Sequence, residues 1–543
     1  MDGTIQDFPL TMTSILRYGA DVHADRTVAT ATDDGFRDLT FRGLGVRAAQ
    51  LANGLRRIGV RSGERVGTYL WNTQEHLEAY FAVPCMGAVL HTLNIRLSDE
   101  QLAFIANDAE DRVVLVDMSL AAQLANVLPK MPAVRTVIAV GEGDIDVFEA
   151  TGKEVVRYEE LIGGEPTEFA WPELDEKSAA SMCYTSGTTG NPKGVVYTHR
   201  STYLHTNALC SANGPGLAEG DCLLPAMPMF HANGWGLAIA AVAAGADVVL
   251  PNRFLQGDRL LDMLEARRVT FGAGVPTIWN DILRCLERDP GRDISSLRLI
   301  ISGGSAIPES LMDAYQNKFG VTMMQVWGMT ETSPLVTFAR PPRGAESQAD
   351  WAWRLTQGRL IFGAEMRVVD EGGDVLPHDG KSVGEVQVRG PWVTGAYYRG
   401  RDTEKFVDGW LCTGDVGKVD AHGYLTLTDR AKDVIKSGGE WISSVELENH
   451  IMGHPAVLES AVVGVPDERW QERPLVAVVV KPDAEVSARE LRNYLRDKVV
   501  RWWLPERWTF IDEVPRTSVG KFDKKVIRAR YAENTYDVID CRD

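Results

Sequence analysis

The chain has 543 residues, 44% apolar and 24% charged, which predicts sizeable buried cores and excludes a disordered, fibrous or single-module protein. At about 150 residues per domain, that length corresponds to roughly three to four units. Lys and Arg number 57 against 75 Asp and Glu, a net charge of −18, which argues against a general binder of nucleic acid or anionic membranes.

Seven cysteines, with no C-x-x-C pair, suggest neither a disulfide framework nor a zinc site and fit a reducing, cytoplasmic setting. The N-terminal MDGTIQDFPL has early acids and no following apolar run, so no secretory leader is expected. The longest apolar stretch, Gly236 to Ala246, is 11 residues long and is stopped by Asp247. A bilayer span needs about 18–20, so this stretch predicts a buried helix in a soluble protein.

In chain order, LGVRAAQLANGLRRIG reads as an amphipathic helix, RVGTYLWN as a strand and AYFAVPCMGAVLHTLN as a further apolar helix. Gly43-Leu-Gly45-Val-Arg-Ala48 resembles a degenerate dinucleotide fingerprint, but Glu64 precedes the next strand instead of ending it, so these glycines are read as a helix start. The rhythm repeats in DRLLDMLEARRV before TFGAG, and in SSLRLIISGG, predicting α/β architecture with parallel strands. From about Gly384 the texture becomes short β-rich pieces, GEVQVRG, WLCTGDVGKV and GYLTLTD, read as a small β-barrel-like part. After the charged Asp429-Arg-Ala-Lys-Asp433 come a helix opened by a capping box at Ser443 and Glu446, two strands, the helix SARELRNYLRDKVV and the strand RWTFID. The expected organisation is a large domain over 1–428, a hinge at 429–433 and a small α+β domain over 434–543.

The strongest motif is Tyr184-Thr-Ser-Gly-Thr-Thr-Gly-Asn-Pro-Lys-Gly-Val195, after the apolar strand AASMCY. Gly187 and Gly190 permit sharp turns that gather backbone N–H groups, and Thr185, Ser186, Thr188, Thr189 and Lys193 add donors, a composition suited to a polyphosphate. It is not a Walker loop, and Gly380-Lys381-Ser382, with Val375 where the first glycine would stand, is an ordinary turn.

This loop resembles the phosphate loop of the AMP-forming acyl-CoA synthetases, within the adenylate-forming superfamily. The remaining family motifs follow in order: Phe230-His231 with Trp235, Gly303-Gly304, Trp327-Gly-Met-Thr-Glu331, Thr413-Gly-Asp415, Asp429 to Asp433 leading to Gly438-Gly-Glu-Trp441, and Pro515 to Lys521. The resemblance implies a mobile C-terminal lid, with Mg²⁺, ATP and coenzyme A as cofactor and substrates. Charge builds on phosphate oxygens during transfer to AMP, so metal and cationic donors must meet it. Glu331, with Thr185, is the natural Mg²⁺ ligand because hard cations prefer oxygen. By resemblance, Gly304, Gln325, Gly328 and Thr330 surround the nucleotide, Trp327 stacks on adenine where most relatives have tyrosine, Asp415 accepts the ribose hydroxyls and Arg430 serves ribose or phosphate.

Resemblance further makes Lys521 the lysine that reaches the α-phosphate and carboxylate during adenylation, and Lys432 part of the hinge. Lys436, Gly438, Gly439, Glu440, Trp441 and Glu472 would face the site when coenzyme A enters. His231 would lie beside the phosphate or carboxylate, and it disfavours an amine substrate because amino-acid-activating relatives place aspartate there. Trp235, Gly303, Gly304, Trp327 and Pro334 would line the acyl pocket, with no cation beyond the phosphate site, so an apolar monocarboxylate is expected. Trp235 resembles the gate of long-chain fatty acyl-CoA ligases; together with Trp327 it is most similar to the 3-methylmercaptopropionyl-CoA ligases, whose acid is short. A homodimer is expected by the same resemblance. The other classes weighed are a carrier-loading adenylating enzyme, a nicotinamide dehydrogenase and a catalytically dead interaction protein.

Overall fold

The computed structural model describes residue 1 and residues 3–185, 191–345, 347–430, 433–437, 440–482, 484–517 and 522–542. The first amphipathic helix is Phe41–Arg57. The Thr40 side chain accepts from Gly43 N, and Leu44, Ala48, Leu51, Ala52 and Leu55 form its buried stripe. Gly43 and Gly45 therefore lie in the opening turns of a helix, not in a nucleotide turn. The next apolar segment divides where one helix was expected: Gln74–Cys85 is helical and Val89–Thr92 is a strand, with Gly87 at φ 92° between them. Every residue of Gln74–Cys85 is buried, so there was no polar face to mark its end.

The architecture is mixed α/β, organised on three sheets among the described residues. The first orders Glu154–Arg157, Thr136–Val140, Asp111–Asp117, Arg65–Tyr69, Val89–Thr92, Ala179–Tyr184 and Gly194–Thr198; all neighbours are parallel except the last pair. The second is longer and changes character midway. Asp247–Leu250, Cys222–Pro225, Phe271–Gly274, Leu299–Ser302 and Thr322–Gly328 run parallel, and Thr322–Gly328 then pairs antiparallel with Leu335–Phe338. Beyond it the antiparallel strands continue to Glu365–Val369 as an open sheet, since no pairing among the described residues closes them into a barrel. The expected T-G-D turn lies inside one strand, Trp410–Val419, where Gly414 at φ 73° kinks the chain without ending it.

Arg430 ends the last strand of the large sheet and Ile435 begins the first strand of the third sheet. Gln471–Val480 is the central strand of that third sheet, Val457–Asp467 pairs along it, and both are apolar on both faces. Val462, Val476 and Val478 pack with Leu447, Leu491 and Leu495 on one side, whereas Ala461, Val463 and Leu475 pack with Ile527 on the other. Ser443 caps Ser444–Met452 by accepting from Glu446 N at 3.1 Å.

His76 and His205 are buried inside the large domain. Burial lowers His76 to a pKa of about 4 and His205 to about 3, and His205 Nε2 accepts from Leu335 N at 3.2 Å. A histidine held neutral contributes stability above its unfolded value near 6.5 that is lost as pH falls below it, because the unfolded chain then binds the extra proton. Glu78, raised by burial to about 7, has the opposite slope between that value and its unfolded one. His205→Asn should therefore remove about one proton, ~1.4 kcal/mol per pH unit, from the slope of unfolding free energy between pH 5.5 and 4.5. Denaturant titrations across that range check this; an unchanged slope would mean that His205 is protonated when folded.

Candidate active site

The predicted motifs converge because each follows the carboxyl end of a strand. Thr185 follows Ala179–Tyr184, Phe230 and His231 lie beyond Cys222–Pro225, Gly303 and Gly304 follow Leu299–Ser302, and Thr330 and Glu331 follow Thr322–Gly328. Ligands of open α/β sheets bind outside such ends, and here the position coincides with the switch from parallel to antiparallel pairing.

The first lobe fixes the approach to His231. Asn72 Nδ2 donates to Pro225 O (3.2 Å) and Met227 O (2.8 Å), its Oδ1 accepts from Met229 N (2.7 Å), and Tyr80 Oη donates to Met229 O. After His231 the backbone runs left-handed through five residues, with φ of 44° at Ala232, 49° at Asn233, 57° at Gly234, 58° at Trp235 and 70° at Gly236. Each non-glycine residue there costs of order 1–3 kcal/mol. Asn233 holds the turn with a buried side chain: Nδ2 donates to Ser181 Oγ (2.8 Å), and Oδ1 accepts from Cys183 Sγ (3.0 Å) and Thr92 Oγ1 (3.3 Å). Trp235 is thereby packed into the main apolar core.

A cleft of ≈ 1370 Å³ opens between the large sheet and the C-terminal unit, and Gly304, Gln325, Trp327, Gly328 and Asp415 border it. Trp235, Gly303 and Pro334, expected to line the acyl pocket, do not border this cleft. The Trp327 indole Nε1 donates to Asp415 Oδ2 at 2.8 Å, a bond that a tyrosine in its place could not make in the same way. Asp415 also stands opposite Arg430 in strand register. Gln325 Oε1 accepts from Ile307 N at 2.8 Å and ties the loop after Gly304 to its strand. A Cβ at Gly303 would meet Val326 O at 2.7 Å, and one at Gly328 would meet Pro334 O at 1.8 Å. Both positions therefore require glycine for close backbone approach.

Glu331 is buried, and its Oε1 accepts from Tyr397 Oη at 2.6 Å. Thr330 O accepts from Tyr197 Oη at 2.6 Å, and Thr394 N donates to Glu331 O at 2.8 Å. Thr185 N donates to Lys193 O (2.9 Å), while Thr185 Oγ1 accepts from Lys193 N (3.3 Å). The Lys193 ammonium pairs with Asp402 and lies 5.4 Å from the Tyr397 ring centroid. Among the described residues no three His, Cys, Asp or Glu cluster as a metal cage. A single buried carboxylate, with one oxygen bonded by Tyr397 and the other left for a ligand, instead fits a small hard cation that takes its remaining oxygens from phosphate and water.

On the C-terminal unit, Lys436 N donates to Glu472 Oε2 at 2.9 Å, and its ammonium stands 3.8 Å from Glu371 of the large domain. Glu440 and Trp441 pair with Ser437 and Lys436 across a hairpin. Ser186, Gly187, Thr188, Thr189, Gly190, Lys432, Gly438, Gly439 and Lys521 lie outside the described residues. Sequence reading missed Tyr197, Tyr397 and Asn233, which carry no motif of their own. It also missed Arg96, an exposed residue that borders the cleft and whose guanidinium lies 6.0 Å from the Phe230 ring centroid.

Residues 16–398 match the family described as AMP-binding enzyme, and residues 446–521 match its C-terminal domain. The chain is 38% identical to a 3-methylmercaptopropionyl-CoA ligase of Ruegeria pomeroyi, over 98% of this chain and 99% of that one. It is 41% identical to a long-chain-fatty-acid–CoA ligase of Thermus thermophilus, over 97% of each. Among solved structures, the anthranilate CoA ligase AuaEII in complex with anthranoyl-AMP superposes with a TM-score of 0.88 at 28% identity, over 97% of this chain and 99% of that one.

Proposed function

The chain belongs to the AMP-binding enzyme family and is an acyl-CoA ligase, and from that premise we propose that its acid is a short apolar monocarboxylate, with 3-methylmercaptopropionate the first candidate. The observation that carries this reading is full-length similarity to a ligase of that name together with two buried indoles, Trp235 and Trp327, on the motifs assigned to the acyl pocket. The second reading, a longer fatty acid, is favoured by the similarity to the Thermus ligase.

In the first half-reaction a carboxylate oxygen attacks the α-phosphorus of ATP in line and the bond to pyrophosphate breaks, which converts a poor leaving group into AMP. The loop from Thr185 to Lys193 and the side chain of Lys521 stabilise the negative charge that develops on the phosphate oxygens. Glu331 and Thr185 would hold Mg²⁺, which when bound supplies further neutralisation of that charge. Asp415 accepts from the ribose and is oriented by the Trp327 indole N–H. His231 orients the carboxylate.

The C-terminal unit then turns about 429–433 and removes Lys521. Lys436 to Trp441 and Glu472 come to line the path of coenzyme A, whose thiol attacks the acyl carbonyl and expels AMP. This hinge reading is supported by the passage from one sheet to another between Arg430 and Ile435. Arg96 offers a cation to an anionic group of ATP or coenzyme A. No described helix is long and apolar enough to cross a membrane; a homodimer in the cytoplasm is the proposed working state.

A substrate series from propionate and 3-methylmercaptopropionate to palmitate tests the acid. The expected result is a kcat/KM for 3-methylmercaptopropionate at least about 10²-fold above that for palmitate, the order that pocket truncation over several methylenes can give. A preference for palmitate would overturn the short-acid reading and leave the ligase assignment standing.

A further inference from the structure

The segment 394–402 carries none of the motifs above, yet it touches both Glu331 and Lys193. Thr394 N holds the main chain of Glu331 at 2.8 Å, and Tyr397 Oη bonds its carboxylate at 2.6 Å. Asp402 takes the Lys193 ammonium, which also stands over the Tyr397 ring. The same segment is fastened to the strand end that opens the phosphate loop: Arg401 pairs with Asp108 at 2.5 Å, and Asp108 accepts from Tyr184 Oη at 2.7 Å. Arg399 adds a pairing with Glu110 at 2.8 Å.

We propose that Tyr397 is a positioning residue for the first half-reaction, fixing the Glu331 carboxylate so that its second oxygen is aimed at the triphosphate and its metal ion. The inference rests on Glu331 being the metal-binding carboxylate. A carboxylate on a two-carbon stem can rotate; one oxygen saturated by a buried phenol and the backbone held by Thr394 leave it one orientation. The Tyr397 ring packs edge-on against Phe406 at 5.4 Å, so the phenol cannot swing away.

Tyr397→Phe removes only the hydroxyl and keeps the ring packing. Mn²⁺ binding to the full-length enzyme with α,β-methylene-ATP, read by electron paramagnetic resonance, should weaken about five- to tenfold, and kcat for acid-dependent pyrophosphate release should fall about tenfold with KM for the acid unchanged. Glu331→Gln should weaken Mn²⁺ binding more, and the double variant should be no weaker than Glu331→Gln alone, because Tyr397 acts through that carboxylate. Wild-type Mn²⁺ affinity in Tyr397→Phe, or an equal loss in the Glu331→Gln background, would overturn the role of Tyr397. Unchanged Mn²⁺ binding in Glu331→Gln would instead overturn the metal reading of Glu331 on which it rests.

Discussion

Replacing Lys521 by alanine is expected to lower acid-dependent pyrophosphate release by about 10²–10³-fold, the usual loss when one preorganised donor to a developing charge is removed. Thioester formation from supplied acyl-AMP and coenzyme A should stay within about threefold of the parent. The asymmetry follows from charge and reach. Between Arg516 and Arg530 the chain carries six basic residues and one acid, Asp523, while the net charge of −18 divides as −16 for residues 1–428 and −2 for 429–543. A lid bearing local positive charge can meet the triphosphate in one orientation and withdraw in the other. Equal loss of both half-reactions would show that Lys521 serves a step common to them.

The second large effect needs no charge at all. Gly328→Ala places a Cβ 1.8 Å from Pro334 O and 2.7 Å from its carbonyl carbon, both backbone atoms that cannot step aside by a rotamer change. The strand must shift, and with it Trp327 on one side and Glu331 on the other. The expected result is destabilisation of about 3 kcal/mol and a loss of adenylation greater than about 10²-fold, since small misplacements at a reacting centre have effects of that size. Gly220→Ala, where nothing lies within 4 Å of the new Cβ, should stay within about 0.5 kcal/mol of the parent. Denaturant unfolding and pyrophosphate release on the two variants check this; full adenylation by Gly328→Ala would mean that the Trp327-to-Glu331 segment tolerates displacement.

What could be read from the chain depended on whether a function imposes a local pattern. The stripe of Phe41–Arg57 and the continuous apolar run in Val457–Asp467 follow from burying one side of a helix and packing both faces of a strand, so hydrophobic patterning alone revealed them. Gln74–Cys85 is buried all round, which erased the signal at its boundary with Val89–Thr92. The T-G-D segment looked like a turn because Gly414 needs a positive φ, which a kink within a strand also supplies. At the site, short motifs marked Trp327, Glu331 and Asp415, but not their partners. Tyr397 reaches Glu331 from 66 residues away, Tyr197 reaches Thr330 from 133, and Asn233 gathers Thr92, Ser181 and Cys183 from two other strands. Such contacts exist only once the sheets have assembled; one isolated Tyr or Asn differs in nothing from any other.

A coupled stoichiometry tests the ligase assignment most directly. With the purified chain, ATP, Mg²⁺ and 3-methylmercaptopropionate, pyrophosphate should appear only when the acid is present, and adding coenzyme A should release AMP with one thiol consumed per AMP formed. Pyrophosphate release with no consumption of coenzyme A would identify an enzyme that loads another acceptor. No acid-dependent pyrophosphate release across the whole acid series, from propionate to palmitate, would contradict the assignment as an AMP-forming ligase.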